Sequence, residues 1–145
     1  MSAPSIRHAV PDLAVSVVLF HSPMEQLRAL IESLIKAVNE AALQSVELIC
    51  VDHSGDGEYA KRCHALCAAY SDAAALHIRL LVPDANAGYG AGHNRAMTEV
   101  DSRYHLILNP DVELATDAVA LALGVLAARE NIVLLAPTGF SPSGK

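Results

Sequence analysis

The chain has 145 residues, of which 52% are hydrophobic and 18% are charged, and this balance excludes a disordered or low-complexity protein. Ten Lys and Arg residues against sixteen Asp and Glu residues give a net charge of −6, which argues against a nucleic-acid binder that neutralises phosphates. The longest apolar run, residues 118–128, is too short to span a membrane. Three cysteines, an odd number without a recognisable signal peptide, favour a cytoplasmic setting.

Apolar, β-branched segments alternate with helical patterns along the whole chain. The predicted strands cover residues 14–20, 46–51, 76–82, 104–108 and 132–135. The predicted helices follow Ser22, cover residues 59–70 and about 93–100, and run from Thr116 to near Glu130. This alternation predicts an α/β domain over residues 13–145, a mainly parallel sheet with helices on both faces, preceded by a leader at residues 1–12.

The start of the first helix has the pattern of a capping box. Ser22 would be the N-cap, Pro23 the first helical residue and Glu25 the third.

Polar residues follow the predicted strands at the points where the strands end. They are His21, Asp52, the glycine-rich segment 84–92 and the run Asn109-Pro110-Asp111. Ligands of parallel α/β sheets bind beyond the carboxyl ends of the strands, so this edge is the predicted site.

Asp52 has two interpretations. It could make a turn with Ser54 and Asp56, with Asp56 capping the next helix, or its carboxylate could accept the N3–H of a uracil or thymine ring.

The run Asn109-Pro110-Asp111 also has two interpretations. Pro110 stiffens the turn, and a carboxylate on a stiff turn suits Mg²⁺ or Mn²⁺ shared with a substrate diphosphate. The alternative is an Asx-type turn that binds nothing.

The glycines at 88, 90 and 92 fail the dinucleotide fingerprint by one position, because His93 follows them, and they come after the third strand rather than the first. A dinucleotide-binding Rossmann domain stays an alternative. The glycines could also let the backbone approach another ligand closely, or simply form flexible turns. Cys63 and Cys67 are assigned to the core rather than to a metal, and His93 and His105 to ordinary partly buried positions.

Four segments, taken in order, resemble the first half of a family 2 glycosyltransferase of the rhamnosyltransferase-like kind. They are residues 15–20, 51–56, 86–95 and 108–112, within a resemblance that covers about residues 14–140. The resemblance implies a GT-A fold and an inverting transfer of sugar from a UDP- or dTDP-sugar, such as dTDP-rhamnose, to a glycan or lipid-linked acceptor.

The resemblance also implies residue roles. Asp52 would hold the pyrimidine base, and Asp111 would bind Mg²⁺ or Mn²⁺ beside Asn109, which replaces the first acid of an Asp-x-Asp motif. The remaining nucleotide-binding residues would be His21, Asn86, Gly88, Gly92, Asn94 and Arg95. The family's catalytic base and acceptor half would lie beyond Lys145, so the 145 residues are expected to be inactive alone.

Further expectations concern the setting of the protein. It would be cytoplasmic, or peripheral to the inner membrane, without a transmembrane segment or nucleic-acid partner, and the chain could form a homodimer. A non-enzymatic nucleotide-binding module and a nucleotidyltransferase are the rival classes. The latter would normally have a basic, glycine-rich loop after the first strand, which residues 21–24 do not provide.

Overall fold

The computed structural model describes residues 10–73 and 75–141, which contain four strands and four helices. The strands are β1 (Leu13–Leu19), β2 (Val46–Asp52), β3 (Leu76–Leu81) and β4 (Tyr104–Leu108). The helices are α1 (Met24–Glu40), α2 (Gly57–Ala68), α3 (Tyr89–Glu99) and α4 (Ala118–Ala128). None of these helices is both long and apolar enough to cross a membrane.

The strands form one parallel sheet in the order β3-β2-β1-β4. The chain moves outward from β1 to β3 and then returns to place β4 on the other side of β1. The direction of winding therefore reverses between β1 and β4, the type of position where open α/β sheets bind ligands.

The two faces of the sheet are packed by different helices, as the alternation of side chains along β1 requires. Val15, Val17 and Leu19 join the larger core with α1, α2 and the start of α4. Val18 points to the opposite face, where it packs with strand β2 and with Ala96 of α3. The predicted parallel sheet with helices on both faces is confirmed.

The predicted capping box at Ser22 is wrong. Helix α1 begins at Met24, Pro23 is its N-cap, and no side chain caps it. The Pro23 carbonyl accepts from the amides of Gln26 and Leu27. The Ser22 carbonyl instead accepts from the hydroxyl of Tyr59, at 2.9 Å, so this residue belongs to the loop that contacts α2.

Helix α3 starts earlier than predicted, at Tyr89 rather than near His93. Two of the glycines assigned to the loop, Gly90 and Gly92, lie inside the helix. Glycine has poor helix propensity, so the local sequence hid a helix start that contacts with the sheet stabilise.

The predicted fifth strand at residues 132–135 is wrong for the described residues. The segment has no ladder pairing, and Val133 and Leu134 are 94% and 83% exposed. A β-branched sequence forms a strand only where a neighbouring strand satisfies its backbone, and this segment instead borders an apolar groove beside β4 and α4.

The leader and tail are described only in part. Residues 1–9 and 142–145 lie outside the described ranges. At the end of the predicted leader, the Asp12 amide donates to the Ser45 carbonyl at 2.9 Å, and the Asp12 carboxylate accepts from the Gln44 and Ser45 amides. Asp12 therefore joins the chain to the loop before β2.

Candidate functional site

The candidate site lies at the carboxyl edge of the sheet. Because the strands are parallel, the residues that follow β1, β2 and β4 emerge at this edge. His21 lies beyond the end of β1, Asp52 ends β2 opposite Leu19, and Asn109 directly follows β4. The fold thus brings three of the predicted strand-end groups to one edge.

Asp52 is buried, being 1% exposed, and its two oxygens differ in their contacts. Oδ1 accepts from the Ser54 amide at 2.8 Å, which makes the predicted turn. Oδ2 is buried and has no hydrogen-bond partner in the described structure. Leaving a buried acceptor without a partner costs about 1–3 kcal/mol of stability, so this oxygen would gain from a hydrogen-bond donor on a ligand.

Asp56 caps helix α2, as predicted. Its carboxylate accepts from the amides of Glu58 and Tyr59 at 2.9 and 3.2 Å. The hydrogen bonds from Tyr59 and then Glu58 lower the pKa of Asp56. This carboxylate is occupied by the helix terminus, unlike that of Asp52.

His21 occupies the tight turn that follows β1. Its φ of 52° lies in the left-handed region, where a residue other than glycine is uncommon. Its ring contacts the rings of Phe20 and Tyr59, with centroid distances of 5.1 and 5.5 Å. The imidazole therefore lies on the α2 side of the edge.

The amino end of α3 is formed by Gly88, which is its N-cap and has a φ of 96°. The Gly88 amide donates to Asn86 Oδ1 at 2.8 Å, so Asn86 shapes the approach to the helix. Among the described residues no side chain caps α3, and the first backbone amides of a helix have no partner within it. Only a residue without a Cβ adopts this φ without strain, which explains the glycine at position 88.

Gly92 is placed by packing against the sheet. A Cβ at this position would lie 2.6 Å from Val18 Cγ2 and 3.1 Å from His53 Cε1. The absence of a side chain lets α3 approach β1 closely. Gly92 is buried on the side of α3 that faces the sheet, so it does not lie with the exposed residues of the edge.

Asn94 and Arg95 lie further along α3 and are exposed. Arg95 pairs with Glu99 at 2.9 Å, one turn further from the amino end of the helix. Glu99 also pairs with Arg79 of β3 at 3.0 Å. The Arg95 guanidinium is therefore directed away from the carboxyl edge, and it would have to leave Glu99 to reach a ligand there.

The turn after β4 carries the predicted metal-binding residues. Both Asn109 and Asp111 are exposed, and the Val112 amide donates to the Asn109 carbonyl at 3.2 Å. Within the described ranges the Asp111 carboxylate has no hydrogen-bond or ion-pair partner. An unpartnered carboxylate on a stiff turn suits a hard cation.

The same turn does not build a complete metal site from protein groups. No cluster of three or more His, Cys, Asp or Glu side chains in the described parts of the chain could hold an ion. A divalent cation at Asp111 would therefore need most of its ligands from substrate oxygens and water, which is how Mg²⁺ is usually bound.

A buried polar chain runs under α3, and the sequence did not reveal it. Ser16 Oγ in β1 lies 2.7 Å from His93 Nδ1 and 2.8 Å from His105 Nε2. The Tyr89 ring meets the His93 ring edge-on at 4.5 Å, and its hydroxyl donates to Asn109 Oδ1 at 2.6 Å. One signal was present, because a serine within an apolar strand needs a partner when buried.

Cys63 and Cys67 belong to the core, as predicted, and so does Cys50. Cys50, Cys63 and Cys67 are buried free thiols. Burial raises the pKa of Cys63 to about 11, so its thiol stays protonated and unreactive.

The chain belongs to glycosyl transferase family 2, whose family model matches residues 17–144. Comparison with curated proteins gives no significant match in sequence. The α/β arrangement with a parallel sheet is the GT-A type of fold found in this family's enzymes.

Solved structures support the same fold. The chain is similar to residues 1–349 of TarS from S. aureus, with a TM-score of 0.66 and 18% identity over 82% of this chain and 33% of that one. TarS was also solved with UDP-GlcNAc, where the TM-score is 0.64, the identity 18%, and the coverage 82% and 32%. The chain is also similar to a mannosyltransferase from Pyrobaculum calidifontis that was solved in complex with GDP-Man and Mn²⁺. The TM-score is 0.59 and the identity 19%, over 81% of this chain and 33% of that one. The chain thus spans about a third of the length of these relatives.

Proposed function

We propose that the protein to which this chain belongs transfers a sugar from a nucleotide-diphosphate donor, and that these residues bind the donor. The observation that carries the proposal is the buried, unpartnered Oδ2 of Asp52 at the carboxyl edge of a family 2 glycosyltransferase domain. The proposal is supported by TarS, which was solved with UDP and with UDP-GlcNAc.

The base of the donor is assigned to Asp52. Uracil and thymine present an N3–H donor, and a charge-assisted hydrogen bond to a buried carboxylate is worth about 1.5–3 kcal/mol. Because Oδ1 is occupied by the Ser54 amide, Oδ2 is the atom proposed to accept it. The donor is therefore a UDP- or dTDP-sugar.

The diphosphate is assigned to the region between α3 and the turn after β4. The uncapped amides at the start of α3 and the positive end of its dipole favour negative charge. Asn86 and Gly88 shape this terminus, while Asn94 and Arg95 would follow along the same helix once Arg95 leaves Glu99.

Asp111 is the residue proposed to hold a divalent cation, Mg²⁺ or Mn²⁺. When bound, such an ion neutralises charge on a departing nucleoside diphosphate. The mannosyltransferase with Mn²⁺ in its crystal supports a metal in this fold. Asn109 in place of an acid supports the rhamnosyltransferase-like branch, for which dTDP-rhamnose is the donor to test.

The remaining steps of the proposal concern groups outside these residues. A general base from the rest of the protein would deprotonate an acceptor hydroxyl of a glycan or lipid-linked acceptor. Attack on the face of the anomeric carbon opposite the leaving group would invert its configuration. The residues described here bind and orient the donor.

The test is a calorimetric titration of the protein with UDP and dTDP, each with and without Mn²⁺. We expect Mn²⁺ to strengthen nucleotide binding in the wild type, and Asp111→Ala to abolish that enhancement. Glu113→Ala, which removes an exposed carboxylate two residues away, is the matched control and should retain it. Binding of neither nucleotide, with or without metal, would refute the proposed function.

A further inference from the structure

The hydroxyl of Tyr89 joins the two segments between which the donor diphosphate is proposed to lie. It donates to Asn109 Oδ1 at 2.6 Å, linking the first residue of α3 to the first residue after β4. These segments stand on either side of the point where the sheet reverses its winding. The contact therefore sets the spacing between the helix terminus and the turn that carries Asp111.

The Tyr89 side chain is held in place from the core. Its ring meets His93 edge-on, with centroids 4.5 Å apart and planes 75° apart. His93 is 3% exposed and contacts Ser16 Oγ at 2.7 Å, and Ser16 is fully buried in β1. The ring of this half-exposed side chain therefore rests against a buried histidine, which favours one orientation of the tyrosine.

Asn109 and Asp111 differ in what occupies their oxygens. The Asn109 carboxamide is neutral, and its oxygen already accepts from Tyr89. The Asp111 carboxylate is charged and has no partner among the described residues. Pro110 connects the two and fixes the backbone between them.

Resting on the proposed function, we propose that Tyr89 is a positioning residue that holds Asn109, and that Asn109 orients the turn for Asp111 instead of binding the metal. Asp111 is then the protein's metal ligand in this turn. This assignment revises the sequence-based expectation that Asn109 shares the ion.

The test compares how strongly Mn²⁺ enhances UDP binding in three single variants. Asp111→Ala should abolish the enhancement. Tyr89→Phe and Asn109→Ala should each weaken it by a similar factor, about threefold to tenfold, since each removes the same hydrogen bond. If Asn109 were a ligand, Asn109→Ala would behave as Asp111→Ala does, while Tyr89→Phe would resemble the wild type.

The double variant Tyr89→Phe/Asn109→Ala gives the second readout. If both residues act through one contact, the double variant should weaken the enhancement no further than either single variant. If the double variant instead weakened the enhancement by the product of the two single-variant factors, the proposal would be overturned, because the residues would then act separately.

Tyr70→Phe is the matched control, since Tyr70 also donates its hydroxyl to a side-chain oxygen, that of Glu32, on the other face of the sheet. Without any ligand, the side-chain amide resonance of Asn109 should shift in Tyr89→Phe and stay unchanged in Tyr70→Phe. An unshifted resonance in Tyr89→Phe would overturn the contact itself. Absence of any UDP or Mn²⁺ binding in the wild type would instead overturn the proposed function.

Discussion

At Asp52, one oxygen shapes the backbone and the other has no partner. An Asp52→Asn substitution can keep the first, because the amide oxygen can still accept from the Ser54 amide. It replaces the second with an NH₂ group, which donates. The chemistry of recognition changes while the local turn is retained.

We therefore expect Asp52→Asn to weaken UDP and dTDP binding by about tenfold or more, because a donor would face the N3–H of the base. The ring N3 of CDP accepts a hydrogen bond instead of donating one. The ratio of CDP affinity to UDP affinity should therefore be higher in the variant than in the wild type. Calorimetric titration of both nucleotides measures this ratio. Asp56→Asn, at the helix cap, is the control and should leave it unchanged. Equal UDP affinity in wild type and Asp52→Asn would exclude the base contact.

The histidines beneath α3 should make the fold sensitive to acid. Burial and the neighbouring His105 lower the pKa of His93, and burial lowers the pKa of His105. The unfolded chain then binds more protons than the folded one, so the stability present above about pH 6.5 is lost as the pH falls through the lowered folded values. Denaturant unfolding from pH 7.5 to 5 should show this loss.

The variant for that experiment is His105→Gln, which removes one of the two titrating rings beside Ser16. Its stability should fall less steeply between pH 6.5 and 5 than that of the wild type. His64→Gln, at an exposed position of α2, is the matched control for a histidine substitution. An unchanged slope in His105→Gln would show that this ring does not titrate with a lowered pKa.

Helix α3 depends on tertiary contacts more than on its own sequence. Its first four residues include two glycines, Gly90 and Gly92. Each glycine inside a helix lowers helix stability by about 1 kcal/mol relative to alanine. The helix is retained because Gly92 lets it pack on β1 and because His93 bonds to Ser16. Local propensity alone could not have located its start.

Two alanine substitutions in α3 should have opposite effects. Gly92→Ala would place a methyl 2.6 Å from a branched side chain, Val18, and overpacking of this kind costs about 1–3 kcal/mol, more than the gain in propensity. Gly90→Ala meets nothing within 4 Å and should raise stability by up to about 1 kcal/mol. Denaturant midpoints measure both. A stabilised Gly92→Ala variant would mean that the helix lies further from the sheet.

The two ends of the sheet differ in the polarity of their surfaces. The carboxyl edge carries the polar candidate site. An apolar groove of about 290 Å³ lies between α4, β4 and residues 133–137, and it reaches Leu13 and Tyr104 at the amino ends of their strands. Its lining is mostly apolar, with Arg103, Tyr104 and His105 as the polar members, whereas the residues proposed to bind the donor lie at the carboxyl edge.

The 145-residue chain by itself should self-associate through the surface around α4. Leu121 and Val125 are 63% and 39% exposed on a helix that is apolar all round, and Val133 and Leu134 are almost fully exposed nearby. Exposed apolar patches favour association. Light scattering should give a mass above that of the monomer, and Leu121→Glu should shift it toward the monomer.

Val82→Glu is the matched control for that measurement, because Val82 is 54% exposed but follows β3 at the opposite side of the sheet. It should leave the measured mass unchanged. A monomeric wild-type chain across the concentrations tested would contradict the prediction.

The amino-acid pattern was sufficient to predict the α/β class, four strands to within a residue or two, the core positions of Cys63 and Cys67, and the Asp56 cap. These depend on periodicity and on contacts between near neighbours. It also indicated the edge where Asp52 and Asp111 lie, because parallel strands end together.

Three features became evident only from the fold. They are the start of α3, the lack of strand pairing at residues 132–135 within the described structure, and the contacts that link Ser16, His93 and Tyr89 to Asn109. Ser16 and His93 are 77 positions apart, and Tyr89 and Asn109 are 20 apart. Whether such residues meet depends on the order of the strands and on how closely a helix packs over them. No local pattern encodes either.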